Sequence, residues 1–193
     1  MAKITYVKTG TARARILLGI ECDGENSSYS VTEATYISLG SPVKYCEIND
    51  RDLDDVIFED ECYRAMKKAV NILAVADKSS YLLMGKLLAA GFSKSAANEA
   101  IDECKRRGYI DEMRQLERLV DKEANTSLRG RYYIRRKLVS KGYSSRDIDN
   151  TISKLIDGGV LDFKANFEIL AEKKGAHSEE ERMTLMYKYG YRA

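Results

Sequence analysis

The sequence predicts a mainly α protein: tandem three-helix repeats in an elongated, curved array, with a small N-terminal antiparallel β-sheet as an α+β extension. Three observations predict it. The stretch Lys86-Leu87-Leu88-Ala89-Ala90-Gly91-Phe92-Ser93 returns as Lys137-Leu138-Val139-Ser140-Lys141-Gly142-Tyr143-Ser144 after 51 positions. The same shift carries Ala97 to Ile148, Ile101 to Ile152, and Gly108-Tyr109-Ile110-Asp111 to Gly159-Val160-Leu161-Asp162, a register that chance does not keep. Strand and hairpin signals, in contrast, fall before residue 32.

In each copy a helix with leucine on its inner face stops at a glycine, which takes a left-handed conformation without a Cβ penalty. An aromatic follows, and then a serine able to cap the next helix. A shorter third copy appears 48 positions further on, where Gly190-Tyr191 answers Gly142-Tyr143. Stacked three-helix units bury a continuous core that one unit cannot bury alone. The organisation expected is an extension over 1–59, repeats over 60–111 and 112–162, and a truncated third repeat over 163–193 that lacks its last helix.

In chain order, Ile4 to Val7 and Arg15 to Ile20 read as strands joined through Lys8-Thr9-Gly10-Thr11, and Ile16, Leu18 and Ile20 alternate on one side of the second. Asp23-Gly24 is a hairpin signal that returns the chain through Ser28 to Val31. A short helix from Glu33 to Leu39 is expected, capped by Thr32 and ended by Gly40, with Pro42 in the connection that follows. Asn49 or Asp50 caps a helix with Leu53, Val56 and Ile57 on one face, and Glu59-Asp60-Glu61 reads as the boundary before the repeats. Met66, Ala69, Val70 and Leu73 then form one helical stripe. Ser79 caps the helix of Leu83 and Leu87, and Ser93 caps that of Ala97, Ile101 and Cys104. Asp111 and Asp162 stand where a carboxylate would cap the next repeat's first helix, at the positive end of its dipole. Met113, Leu116, Leu119, Val120 and Ala124 share one face of the second repeat's first helix, and Ser144 with Asp147 forms an S-x-x-D capping pattern. Phe167, Leu170 and Ala171 open the third repeat; a polar turn with His177 and Ser178 precedes a last helix with Met183, Leu185 and Met186.

With 44% apolar residues the chain of 193 can pack a core, and its net charge of +2 hides a gradient. Residues 1 to 60 carry a net −5 and residues 61 to 193 a net +7. A mildly basic helical array suits a polyanion or an acidic protein face; a solvated surface gives the same count. Cys22, Cys46, Cys62 and Cys104 form no C-x-x-C pair, and a single His is too few for a usual zinc site, so reduced thiols and no metal are expected. The lack of a long apolar run or of a secretory leader points to a cytoplasmic chain without a membrane partner.

The one dense constellation lies in the second repeat's middle helix. Arg129, Arg131, Arg135, Arg136 and Lys137 surround Tyr132 and Tyr133, while Ile134 and Leu138 keep the core contact. Arg131 and Arg135 are i, i+4 neighbours on one exposed face, with Arg129, Tyr132 and Arg136 on an adjacent one. Arginine forks suit phosphates or carboxylates, and rings can stack on bases. The bland alternative is a solvated helix whose tyrosines cover their neighbours. No catalytic group emerges. Lone His177 sits in a polar turn, no phosphate-binding glycine loop is present, and Asp50-Arg51-Asp52-Leu53-Asp54-Asp55 lacks the spacing of a calcium loop. No cofactor is expected.

The repeat, with Lys-Leu before a Gly-aromatic pair, a capping Ser, helices ending in Gly-Tyr-Ile-Asp or Gly-Val-Leu-Asp, and a second repeat of the form Gly130-x3-Ile134-x3-Leu138-x3-Gly142, resembles the RecX regulatory family over residues 60 to 191. The family usually has Phe-Ala where this chain has Leu116-Glu117. The resemblance implies a non-enzymatic, cytoplasmic, monomeric modulator of the RecA recombinase. Such a protein lies along the RecA filament on single-stranded DNA and suppresses filament growth, ATP hydrolysis and strand exchange. Partner-contacting residues would be Arg129, Arg131, Tyr132, Arg135, Arg136 and Lys137. The alternative is a direct DNA-binding module, since the helices joined at Gly91-Phe92 or Gly142-Tyr143 have the look of a helix-turn-helix.

Overall fold

The computed structural model describes residues 2–10 and 14–192; Thr11, in the expected strand connection, and Ala193 lie outside the described residues. The chain divides into two compact units, Met1–Ile72 with Lys86–Arg106, and Leu73–Gly85 with Arg107–Ala193. Its elements are mainly helical, with one small antiparallel sheet, as the sequence predicts.

In the first unit β1 (Ala2–Thr9), β2 (Arg15–Cys22), β3 (Glu25–Thr32) and β4 (Glu47–Ile48) form an antiparallel sheet in the order β3-β2-β1-β4. Cys22 pairs with Glu25, leaving Asp23-Gly24 as a two-residue turn with φ of +52° and +84°, the geometry that twisted hairpins require. β4 is unannounced in the sequence because two residues show no alternation. Ile4, Leu18, Ile20, Val31 and Ile48 bury the inner face together with Val56. Helix α1 (Glu33–Ser38) starts at Thr32, whose hydroxyl accepts the Thr35 N–H at 3.2 Å.

Two helical segments were expected around Glu59-Asp60-Glu61; one continuous helix, α2 (Asp50–Val75), runs through them. The three carboxylates act as docking points. Glu59 accepts the Thr32 N–H, Asp60 the Ser30 N–H at 2.9 Å, and Glu61 the Ser93 N–H at 2.6 Å. Their partners satisfy edge-strand and helix-start donors that would otherwise need water. Helix α3 (Ser80–Ala89) fully buries Leu83 and Leu87, and α4 (Lys94–Arg106), capped by Ser93, buries Ala97, Ile101 and Cys104.

The second unit holds α5 (Glu112–Asp121), α6 (Arg131–Val139), α7 (Ser145–Asp157), α8 (Phe163–Lys174) and α9 (Glu179–Tyr189). Leu116, Val120, Ala124, Ile134, Leu138, Tyr143, Ile148, Ile152 and Leu161 form its repeat core. Asp111 and Asp162 cap α5 and α8, and Ser144 caps α7. Met113, expected on the buried stripe, is 51% exposed in the first turn of α5, so the stripe begins at Leu116. The Ser144–Asp147 pair is not a reciprocal capping box: the shorter Asp carboxylate takes the Ser144 hydroxyl at 2.6 Å. The reciprocal box sits at Ser178 and Glu181, where the Glu reaches back to the Ser178 and His177 N–H groups, each at 3.0 Å. These bonds hold the Glu181 carboxyl below its usual range.

After α5 the helix widens into a π-helical turn, Lys122–Thr126. The extra residue turns Glu123 and Ala124 inward, and Asn166 of α8 donates to the Ala124 carbonyl at 3.2 Å.

Candidate functional site

Helix α6 is seated by two close backbone contacts. The Gly130 N–H donates to the Tyr189 carbonyl at 2.9 Å, and the Tyr132 N–H to the Gly190 carbonyl at 3.0 Å. The orphan donors that begin α6 thus meet the orphan acceptors that end α9, with helix dipoles of opposite sign at the junction. Only glycine permits this approach. A Cβ on Gly130 would run into the Gly190 backbone, one on Gly190 would meet Tyr133, and Gly190 holds φ at +78°. Tyr191, just beyond, packs edge-on to Phe167 with centroids 5.0 Å apart, and burial pushes its hydroxyl up to about 12.

The junction opens a groove of about 510 Å³ between α6 and α9. Arg135, Arg136, Lys188 and Arg192 supply four cations, and Tyr132, Tyr133 and Tyr187 supply three rings; among the described residues no carboxylate lines it. A second groove of about 460 Å³ shares Tyr132 and Arg135 with the first and adds Arg131, Asp149, Phe163 and Tyr191. Arg131 and Arg135 reach Asp149 at 3.1 and 3.4 Å.

Of the six residues singled out in the sequence, Arg131, Tyr132, Arg135 and Arg136 line these grooves. Arg129 does not sit beside Tyr132 and Arg136 as expected. It precedes α6, and its guanidinium lies between the Tyr133 and Tyr189 rings, 4.5 and 4.6 Å from their centroids. Lys137 also turns away, pairing at 2.6 Å with Glu123, whose side chain is only 9% exposed. Both cations therefore brace the helix: one over rings, the other on a nearly buried carboxylate.

Tyr187, Lys188 and Arg192 escaped the sequence reading of the site. The signal was present, because Gly190-Tyr191 repeats Gly142-Tyr143 and makes α9 the third-repeat counterpart of α6. What periodicity could not supply was the glycine contact that brings the two helices together. The assembled surface can bind anions and stack planar groups. Among the described residues there is no cluster of three or more His, Cys, Asp or Glu that could hold a metal ion.

Fold and groove together define a helical-repeat protein with a small sheet at its start and a basic, tyrosine-lined face in its second unit. No protein-family model matches the chain. It is similar to the regulatory protein RecX of Clostridioides difficile (strain 630), 28% identical over 109 residues, which is 56% of this chain and 51% of that protein. The match thus spans about half the length of that relative. Among solved structures, a crystal structure of regulatory protein RecX shares its fold with a TM-score of 0.68 at 19% identity, over 95% of this chain and 89% of the other. RecX from Lactobacillus salivarius gives a TM-score of 0.55 at 18% identity, over 67% of this chain and 84% of its own. The resemblance to the RecX family read from the repeats is borne out.

Proposed function

We propose that this chain is a non-enzymatic regulator that binds the RecA recombinase filament on single-stranded DNA and inhibits filament growth, ATP hydrolysis and strand exchange. It acts in the cytoplasm as a monomer; among the described residues no helix is long and apolar enough to cross a membrane. The observation that carries this reading is the groove between α6 and α9, which among the described residues is lined by four cations and three tyrosines and by no carboxylate. Each charge-assisted contact made there supplies about 1.5–3 kcal/mol, and each stacked base about 1–3 kcal/mol. Three or four such contacts suffice for a specific, reversible complex.

Duplex reading by a helix-turn-helix is less well supported. The second helix of each candidate pair would enter the major groove, yet α4 carries Glu99, Asp102 and Glu103 and α7 carries Asp147 and Asp149 outside its core positions. Neither helix carries a net excess of cations: α4 sets Lys94, Lys105 and Arg106 against those three acids, and α7 sets Arg146 and Lys154 against Asp147, Asp149 and Asp157.

The test is RecA ATP hydrolysis on single-stranded DNA with and without the protein. Substoichiometric amounts are expected to slow hydrolysis, because one blocked growing end stops all later addition. Inhibition only at one protein per RecA monomer would replace end-blocking with coating. No inhibition, with tight binding to naked duplex in a gel shift, would favour the direct DNA-binding reading.

A further inference from the structure

We propose that a second phosphate subsite lies across the Tyr132–Arg135 ridge, and that Asp149 is an internal counter-ion occupying it until a single-stranded nucleic acid displaces it. The proposal rests on the reading of the α6–α9 groove as a polyanion surface. Tyr132 and Arg135 line both grooves, so a strand in the first reaches the second without leaving the basic helix. In the second groove the two oxygens of Asp149 each take one arginine: Oδ1 lies 3.1 Å from Arg131 and Oδ2 3.4 Å from Arg135. A phosphodiester presents two non-bridging oxygens in the same way, and arginine forks accept either group.

Among the described residues, Asp149 is the one carboxylate in the lining of either groove. Its side chain is 34% exposed and those of both arginines are 48% exposed, so this pair stays within reach of solvent and of a competing anion. Exposed pairs contribute little to stability, which makes the exchange inexpensive. Glu123, at 9% exposure under Lys137, is the contrasting case: a nearly buried carboxylate that solvent anions are less able to replace. The rings choose the occupant. Tyr132 is 53% exposed at the ridge, and Phe163 and Tyr191 wall the second groove. Such surfaces suit a strand that offers a base beside each phosphate.

The experiment is fluorescence anisotropy of the full chain with a labelled oligothymidylate, titrated at several salt concentrations. Asp149→Asn is expected to tighten binding about tenfold at low salt and to steepen the salt dependence by about 0.7 in log–log slope for each arginine released. Arg131→Gln, which touches the second groove alone, is expected to weaken binding several-fold and flatten the slope. Unchanged or weaker binding by Asp149→Asn, with Arg131→Gln like wild type, overturns the second subsite; if Arg136→Glu still abolishes binding, the first groove stands. If Arg136→Glu also binds normally, the groove reading falls and the subsite with it. Equal binding of a polyglutamate peptide would overturn the choice of nucleic acid as occupant.

Discussion

Helices α3 and α6 are the same helix 51 residues apart, and they have been put to different uses. Their inward positions match: Leu83 and Leu87 in one, Ile134 and Leu138 in the other, all fully buried. Their outward positions do not. Ser80, Met84 and Gly85 of α3 correspond to Arg131, Arg135 and Arg136 of α6. Even the shared tyrosine differs, since Tyr81 leans on Gly142, where a Cβ would collide with it, while Tyr132 offers its ring to two grooves. The two inward residues match from repeat to repeat, while the exposed outward positions can carry charge at little cost in stability.

The largest effect expected from this comparison is in binding. Reversing Arg131, Arg135 and Arg136 to Glu should cost about 1.5–3 kcal/mol for each lost contact, a loss of several orders of magnitude in affinity for RecA-coated single-stranded DNA. Folding should change by only about 0–1 kcal/mol per exposed charge. Lys86→Glu on α3, at the position equivalent to Lys137, should leave affinity nearly unchanged. Measuring both by anisotropy and by inhibition of ATP hydrolysis sharpens the contrast. A triple reversal that stays folded by circular dichroism and inhibits like wild type would end the idea that the two helices differ in function.

A smaller effect tests the likeness itself. Leu87→Ala and Leu138→Ala each delete a fully buried side chain, and each should destabilise by about 2–5 kcal/mol in urea unfolding. If Leu87→Ala costs under about 1 kcal/mol, the two helices are not equivalent core elements and the repeat describes sequence alone.

The inward half of this design was legible in the sequence because burial imposes a period. Ile101 and Ile152 are 4% and 0% exposed at equivalent places, and Ser93 and Ser144 both cap where the register puts them. Asp23-Gly24 was legible for a similar reason, since its backbone demands a particular residue type. The groove was half legible. Composition exposed Arg131, Tyr132, Arg135 and Arg136, but Arg129 and Lys137 look identical to them until Tyr189 and Glu123 appear as partners. Lys188 and Arg192 became part of the site through the Gly130–Gly190 contact, a long-range fact without local periodicity. The continuity of α2 through Glu59-Asp60-Glu61 was not legible, because three successive carboxylates interrupt the apolar stripe and the strand donors that absorb two of them lie about 30 residues away.

The residue after each helix-stopping glycine gives the finest version of the comparison, since it is Phe92 in the first repeat, Tyr143 in the second and Tyr191 in the third. Tyr143 is 8% exposed, and its hydroxyl donates to Gln115 Oε1 at 3.1 Å. Burial, reinforced by the Glu112 and Asp77 carboxylates against an opposing Arg118, pushes it up to about 12, matching Tyr191. An unfolded tyrosine ionises near about pH 10. Between these values the unfolded chain gives up protons that the folded chain retains, so folded stability is intact below the unfolded value and falls as pH rises toward 12. Tyr143→Phe should cost about 1–3 kcal/mol at neutral pH by leaving Gln115 without its donor, and should reduce the alkaline loss. Adding Tyr191→Phe should reduce that loss further, toward the behaviour of a repeat closed by Phe92. Denaturant unfolding at a series of alkaline pH values, with tyrosinate absorbance recorded in parallel, reads both quantities. If the double variant loses as much stability at high pH as the wild type, the second and third repeats are not held by neutral buried tyrosines, and the glycine-aromatic position does the same physical work in all three.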